Sequence, residues 1–203
     1  MRLDATMTAE PLALGAAWPQ MRIHALADTA VFLDRDGVLV RHRRDYVKDW
    51  SEVEIVPGSF EALARLRSAG ARIFVATNQS IVGRGIVRRQ VVDDIHARLA
   101  EIAVQHGASI EGFLVCPHRP EDHCACRKPK PGLLLGAKRA AGVDLGRAFM
   151  VGDQVSDVLA GVTAGCTAIL LTDQPRYGTA PWRVAASLAA AVDLILEVGR
   201  SGS

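Results

Sequence analysis

Val31-Phe-Leu-Asp-Arg-Asp-Gly-Val-Leu-Val40 is the stretch that decides the fold. An apolar run ends in two acids, Asp34 and Asp36, and then a glycine. It reads as a buried strand that delivers two carboxylates to its C-terminal edge, where open α/β sheets bind their ligands. Asp-x-Asp-Gly at such an edge can hold two carboxylates and a divalent cation within one turn.

The same texture continues downstream. Pro57-Gly58-Ser59 opens a helix whose apolar positions Phe60, Leu63 and Leu66 recur at helical spacing, and Gly70 ends it. Residues 72–76 form the next buried strand, ending at Thr77 and Asn78. The spacing predicts a helix over 88–106 with Val91, Ile95, Leu99 and Ile102 on one face, then a strand over 112–115. A polar loop rich in Cys, His and Pro runs over 116–130, and a helix over 131–141 starts with proline, a favoured first-turn residue. Strand 148–151, helix 155–164, strand 167–171 and an Ala/Leu-rich helix over 185–198 complete the series. Alternating strands and helices imply a three-layer, Rossmann-like α/β fold with a parallel sheet and right-handed crossovers. The segment between Asp36 and Pro57 is too short for a separate cap domain and long enough for a flap, so either the substrate is small or loops finish the pocket. Upstream, Pro11, Gly15 and Pro19 break up a weakly patterned stretch. Residues 1–28 are expected to be a loosely ordered extension and 29–203 a single domain.

Composition bounds the function. The chain has 203 residues, 49% hydrophobic and 23% charged, ordinary for a globular protein. A net charge of +2 gives no reason to expect nucleic acid or anionic membrane as a partner. No apolar run approaches the roughly 20 residues that cross a bilayer. The N-terminus lacks a basic n-region and a continuous apolar h-region, so a cytoplasmic protein is expected.

Polar residues collect at the predicted strand ends: Asp34 and Asp36, Thr77 and Asn78, Arg127 and Lys128, Asp153 and Asp157. In a parallel sheet these edges converge on one crevice. Taken singly, each has a plainer reading: a solvated turn for the first pair of acids, a helix cap and first-turn acid for the last pair, a turn for Thr77-Asn78, a solvated charge for Lys128. Their joint order is what carries weight. A second constellation is Cys116-Pro-His118 followed by Cys124-Ala-Cys126. Three thiols and an imidazole suit tetrahedral Zn²⁺ in a closed, structural site that staples the loop. Free buried cysteines or a Cys–Cys pair remain open readings, and His123 competes with His118 for a ligand place. Cys166 reads as a small core residue.

Asp-Arg-Asp-Gly-Val, Ala-Thr-Asn-Gln, Lys128 and Gly-Asp-Gln-Val-Ser-Asp resemble, in order and spacing, the four motifs of the haloacid dehalogenase superfamily of phosphotransferases. The resemblance spans residues 31–173. It implies Asp34 as the nucleophile, ionised at neutral pH. It implies Asp36 as general acid and base, and Mg²⁺ held by Asp34, Asp153 and the Asp36 carbonyl. Thr77 and the amides near Asn78 would hold the transferred phosphoryl oxygens, Lys128 would neutralise charge, and Asp157 would sit behind them. The Cys-x-His…Cys-x-Cys-Arg-Lys-Pro loop is similar to that of the D-glycero-D-manno-heptose 1,7-bisphosphate 7-phosphatases and their relatives, the histidinol-phosphate phosphatases. Ser80 after Thr-Asn-Gln, together with Arg-Lys-Pro-Lys-Pro-Gly-Leu, looks more like the heptose branch. That branch implies a sugar bisphosphate substrate and Arg127 on the uncleaved phosphate or the sugar hydroxyls; a small member without a cap is expected to be a monomer. Arg84 is either a phosphate contact or a solvated arginine, and Arg44, Tyr46 and Lys48 in the flap are in the same position. Two positions depart from the family pattern: Ile81 stands where a glycine is usual, and Gln154 where lysine is frequent.

Overall fold

A computed structural model describes residues 26–174 and 180–201. Six strands, β1 (Ala30–Leu33), β2 (Arg72–Asn78), β3 (Ile110–Cys116), β4 (Phe149–Gly152), β5 (Thr167–Leu171) and β6 (Arg183–Ala185), form one sheet in the order β3-β2-β1-β4-β5-β6. Every neighbouring pair is parallel. Strand order reverses beside β1, so the crevice above it lies where such sheets take ligands.

Six helices cover the sheet: α1 (Ser59–Ser68), α2 (Ser80–Gly83), α3 (Arg89–Gln105), α4 (Gly132–Ala141), α5 (Val155–Ala164) and α6 (Leu188–Ser201). The period-2 alternation of β1 sorts its side chains between two cores. Val31 and Leu33 pack with Phe60 and Leu63 of α1, Leu99 of α3 and Ile195 of α6. Ala30 and Phe32 face the other way, onto Leu134 and Ala137 of α4. The same division runs through β2, where Ile73 and Val75 oppose Phe74 and Ala76. The result is the expected three-layer sandwich. Truncating a leucine such as Leu63 or Leu66, both fully buried, to alanine costs about 2–5 kcal/mol.

The structure shifts several predicted elements. Residues 183–185 form an edge strand, and the last helix begins at Leu188 rather than 185. Three residues are too few to display an alternation, and the Ala-rich run beyond them masked the boundary. α3 turns Val92 and Ala103 inward, while Val91 and Ile102 pack on its flank. β2 extends to Asn78 because Thr77 and Asn78 pair with Val115 and Cys116 of β3. α2 is a single turn with no periodic signal, and Pro131 caps α4 from just outside. Cys166 is buried beside Met150 in the core, as expected.

Residues 37–57 arch over the crevice. Val40 bridges Asp36 and Ile55, and the Val56 amide donates to the Leu39 carbonyl at 2.9 Å. Val38, Leu39, Val40 and Val47 are buried and root this flap in the core. The reading of residues 1–25 as an extension falls outside the described residues. Leu26 is buried, and its amide donates to the Ala69 carbonyl at 2.9 Å. Among the described residues, no helix is long and apolar enough to cross a membrane.

Candidate active site

The C-terminal ends of β1, β2 and β4 bring Asp34, Thr77 and Asp153 to one edge of the sheet. Lys128 joins them from the β3–α4 loop. Its ammonium lies 3.0 Å from Asp34 Oδ1 and 2.8 Å from Asp157 Oδ1, and donates to the Ala76 carbonyl at 2.7 Å. Those three acceptors match its three donors. Asp34, Lys128 and Asp157 are all buried, so each charge depends on the others. Burial opposes the Lys128 charge, but Asp34 and Asp157 outweigh it and hold the ammonium above its usual range.

Asp34 departs from the expectation of simple ionisation. Burial pushes it up to about 7, against the pull of Lys128 and with a further push from Asp157 and Asp36. Burial also raises Asp153, whose Oδ2 accepts from Gln154 at 2.9 Å. Its Oδ1 is buried with no hydrogen-bond partner. Carboxylate oxygens of Asp34, Asp153 and Asp157 lie within 4.8 Å of one another. A cluster of acids holding one lysine and an orphaned oxygen is short of positive charge, and the all-oxygen donor set fits a hard divalent cation. Gly37 allows this closeness. It has φ +88, and a Cβ there would stand 2.2 Å from Asp153 Oδ2. A side chain at this position would therefore displace Asp153.

Asp36 is held from two sides. Arg35 donates from Nη2 to Oδ1 and Oδ2 at 2.9 and 2.8 Å, and from Nε to Oδ1 at 3.1 Å. Gln79 Nε2 donates to Asp36 Oδ2 and to Thr77 Oγ1, both at 2.8 Å. The sequence placed Gln79 inside a motif without giving it a task, and it did not mark Arg35 as buried. An arginine between two acids in an apolar strand was the available signal.

Asn78 serves the loop that carries Lys128. Its Nδ2 donates to the Lys128 carbonyl and its Oδ1 accepts from the Lys128 amide, both at 3.1 Å. The Asn78 side chain thus acts as a clasp, and Asn78 also lines the cleft. That cleft, about 360 Å³, is also bordered by His42, Arg44, Tyr46 and Arg127. Its size suits a small metabolite. Arg127 Nη1 reaches the His118 carbonyl at 3.2 Å, which aims the guanidinium along the rim. Tyr46 sits in the left-handed region at φ +66, and its hydroxyl meets Ser80 and Arg84. Arg84 is exposed and does not line the cleft. Lys48 turns away to Asp45 and Glu52, at 2.7 and 3.4 Å. Of the two departures, Ile81 is a buried anchor of α2, and Gln154 replaces a charge with an amide bonded to Asp153.

Below the cleft, Cys116, His118, Cys124 and Cys126 converge. Cys124 Sγ lies 3.6 Å from Cys116 Sγ and 3.5 Å from Cys126 Sγ, and His118 Nδ1 lies 3.3 and 3.7 Å from the Cys126 and Cys116 sulfurs. Those four distances suit four of the six edges of a tetrahedron whose centre would lie roughly 2.0–2.3 Å from N and S ligands. Burial pushes the Cys116 thiol up to about 12, a cost that a bound cation offsets. His123, the competing ligand, is exposed and stands outside the cluster. The Gln79 amide donates to the Cys116 carbonyl at 2.7 Å and the Gly83 amide to the Pro117 carbonyl at 2.9 Å, which ties this loop to the cleft.

Comparison with known proteins gives the same picture. The family model for haloacid dehalogenase-like hydrolases matches residues 20–165. The D-glycero-beta-D-manno-heptose-1,7-bisphosphate 7-phosphatase of Pseudomonas aeruginosa is 40% identical over 146 residues, which is 72% of this chain and 82% of that protein. The D-glycero-alpha-D-manno-heptose-1,7-bisphosphate 7-phosphatase of Mycobacterium bovis is 37% identical over 157 residues, 74% of this chain and 83% of that one. A crystal structure of D,D-heptose 1,7-bisphosphate phosphatase from B. bronchiseptica, complexed with magnesium and phosphate, superposes with a TM-score of 0.76 at 34% identity. It covers 84% of this chain and 99% of that one. With sheet order, acids, lysine and family match in agreement, the chain belongs to the haloacid dehalogenase-like hydrolases.

Proposed function

We propose that the chain is a Mg²⁺-dependent phosphatase that removes the C7 phosphate of D-glycero-D-manno-heptose 1,7-bisphosphate and yields heptose 1-phosphate for nucleotide-heptose synthesis. The observation that carries this reading is buried Asp34 paired with Lys128 and grouped within 4.8 Å with Asp153, whose Oδ1 is buried without a partner. The heptose substrate is supported by the names of the relatives at 36–40% identity.

Asp34, Asp153 and the Asp36 carbonyl would hold the cation. Bound there, it supplies the positive charge that lets a phosphate dianion approach a carboxylate. Asp34 attacks phosphorus, its carboxylate oxygen forming the new P–O bond as the bond to the sugar oxygen breaks. Asp36 gives its proton to the departing alkoxide. It then takes one from the water whose oxygen attacks phosphorus, and the bond between the Asp34 oxygen and phosphorus breaks, which frees inorganic phosphate and the Asp34 carboxylate. Lys128 and Thr77 stabilise the transferred oxygens by position and charge. Arg127 and Arg44 suit the uncleaved phosphate, since a guanidinium fork binds phosphate bidentately. Asn78 contributes through the clasp on Lys128, and Arg84 stands outside the cleft. Cys116, His118, Cys124 and Cys126 would hold a structural Zn²⁺, which would keep the Arg127-Lys128 loop in place. The reading includes a single catalytic domain over 29–203, acting as a cytoplasmic monomer on a small molecule without nucleic-acid or membrane partners.

Phosphate release across both anomers of heptose bisphosphate, histidinol phosphate and fructose bisphosphate, with and without Mg²⁺, tests the assignment. A heptose anomer turned over fastest, and only with the cation, is the expected result. Preference for histidinol phosphate would move the chain to the sister branch.

A further inference from the structure

Arg35 heads the large side chains that are fully buried. A guanidinium out of water is tolerated only where its donors are met. Its Nε and Nη2 are spent on Asp36. Its Nη1 faces His96 Nε2, 3.4 Å away. Since a guanidinium only donates, Nε2 is the acceptor and the ring proton sits on Nδ1. Burial, then the charge of Arg35, push His96 down to about 3, so the ring is neutral around physiological pH. The ring lies flat on Phe113 of β3, centroids 4.3 Å apart and planes 9° apart. α3 and β3 therefore reach Asp36 through one guanidinium, although His96 does not line the cleft. Gln79 completes the grip on Oδ2 from the opposite side.

We propose that His96, acting through Arg35, is a positioning residue that fixes the Asp36 carboxylate for proton transfer to the leaving oxygen. The proposal rests on the phosphatase reading above. Removing the Nε2 acceptor leaves a buried donor without a partner, and the guanidinium shifts to find one. Asp36 moves with it. A displacement near 1 Å in an acid/base group costs on the order of 10²-fold in rate.

Leaving-group dependence separates this role from plain packing. A sugar alkoxide needs a proton from Asp36 to depart, whereas p-nitrophenolate does not. The test compares kcat/KM for heptose bisphosphate and p-nitrophenyl phosphate, with Mg²⁺ present, in wild type, His96→Phe and His96→Gln. Phenylalanine keeps the stack on Phe113 without an acceptor, and glutamine restores an acceptor. For His96→Phe, the ratio of the two kcat/KM values is expected to fall by about 10- to 100-fold against the sugar phosphate. It should return most of the way in His96→Gln. The ratio does not depend on how much of a variant preparation is folded, so partial misfolding leaves the test intact. An unchanged ratio in His96→Phe, or no recovery in His96→Gln, overturns the positioning role. A wild-type protein that cleaves neither ester overturns the phosphatase reading instead, and this inference with it.

Discussion

Asp34→Asn is expected to make the cation-free protein less sensitive to rising pH. In the folded chain burial moves Asp34 from its ordinary 3.8 to about 7, while in the unfolded chain it titrates near the ordinary value. Between those limits the folded state binds more protons, so the Asp34 contribution to stability falls as pH rises. The full difference corresponds to about 4 kcal/mol at 1.36 kcal/mol per pKa unit, and the part lost between pH 5 and pH 8 to about 2–3 kcal/mol. Asparagine keeps the shape and an oxygen for Lys128 and removes the titration. Urea unfolding of both proteins at pH 5, 6, 7 and 8, in Mg²⁺-free buffer without chelator so that any metal at the thiol cluster stays in place, reads the difference. The variant should gain about 2–3 kcal/mol on wild type from pH 5 to pH 8. Added Mg²⁺ should close the gap by stabilising wild type at pH 8 more than the variant. Parallel pH profiles, or equal Mg²⁺ stabilisation of the two, would refute the picture of a carboxylate cluster waiting for a cation.

Three further outcomes follow from the same structure. Gly37→Ala drives a methyl into Asp153, so phosphatase activity should fall at least about 100-fold. Gly58→Ala, also at positive φ but in open space, should cost only about 1 kcal/mol in denaturant unfolding and leave the rate unchanged. Cys126→Ser should lose the bound metal measured by elemental analysis and lower Tm by on the order of 10 °C. Activity should fall with it, because the clasp on Lys128 and the Gln79 amide hang on that loop.

Much of this was legible in the sequence because the signals were local and repeated. The apolar run before Asp34, the helix spacing of Phe60, Leu63 and Leu66, and the glycine ending α1 each fix an element on their own. A parallel sheet then forces the strand ends together, so the meeting of Asp34, Thr77, Lys128 and Asp153 followed from topology. The Cys116, His118, Cys124 and Cys126 cluster was readable from residue type and spacing. What escaped were contacts between residues remote in sequence. His96 looks like one polar residue in an amphipathic helix, and only the fold puts it against Arg35. Asn78 was read for the backbone amides near it, and only the fold shows its side-chain amide paired with the Lys128 backbone. The shift of Asp34 depends on total burial around it, which no local window of sequence encodes. β6 was too short to show a period, and its neighbouring alanines suggested helix.

The most direct measurement follows the two phosphorus signals of D-glycero-D-manno-heptose 1,7-bisphosphate by ³¹P NMR with Mg²⁺, for wild type and for Asp34→Asn. Loss of the C7 signal alone, in wild type alone, is the predicted result. Loss of the C1 signal first, or equal turnover by Asp34→Asn, would contradict it.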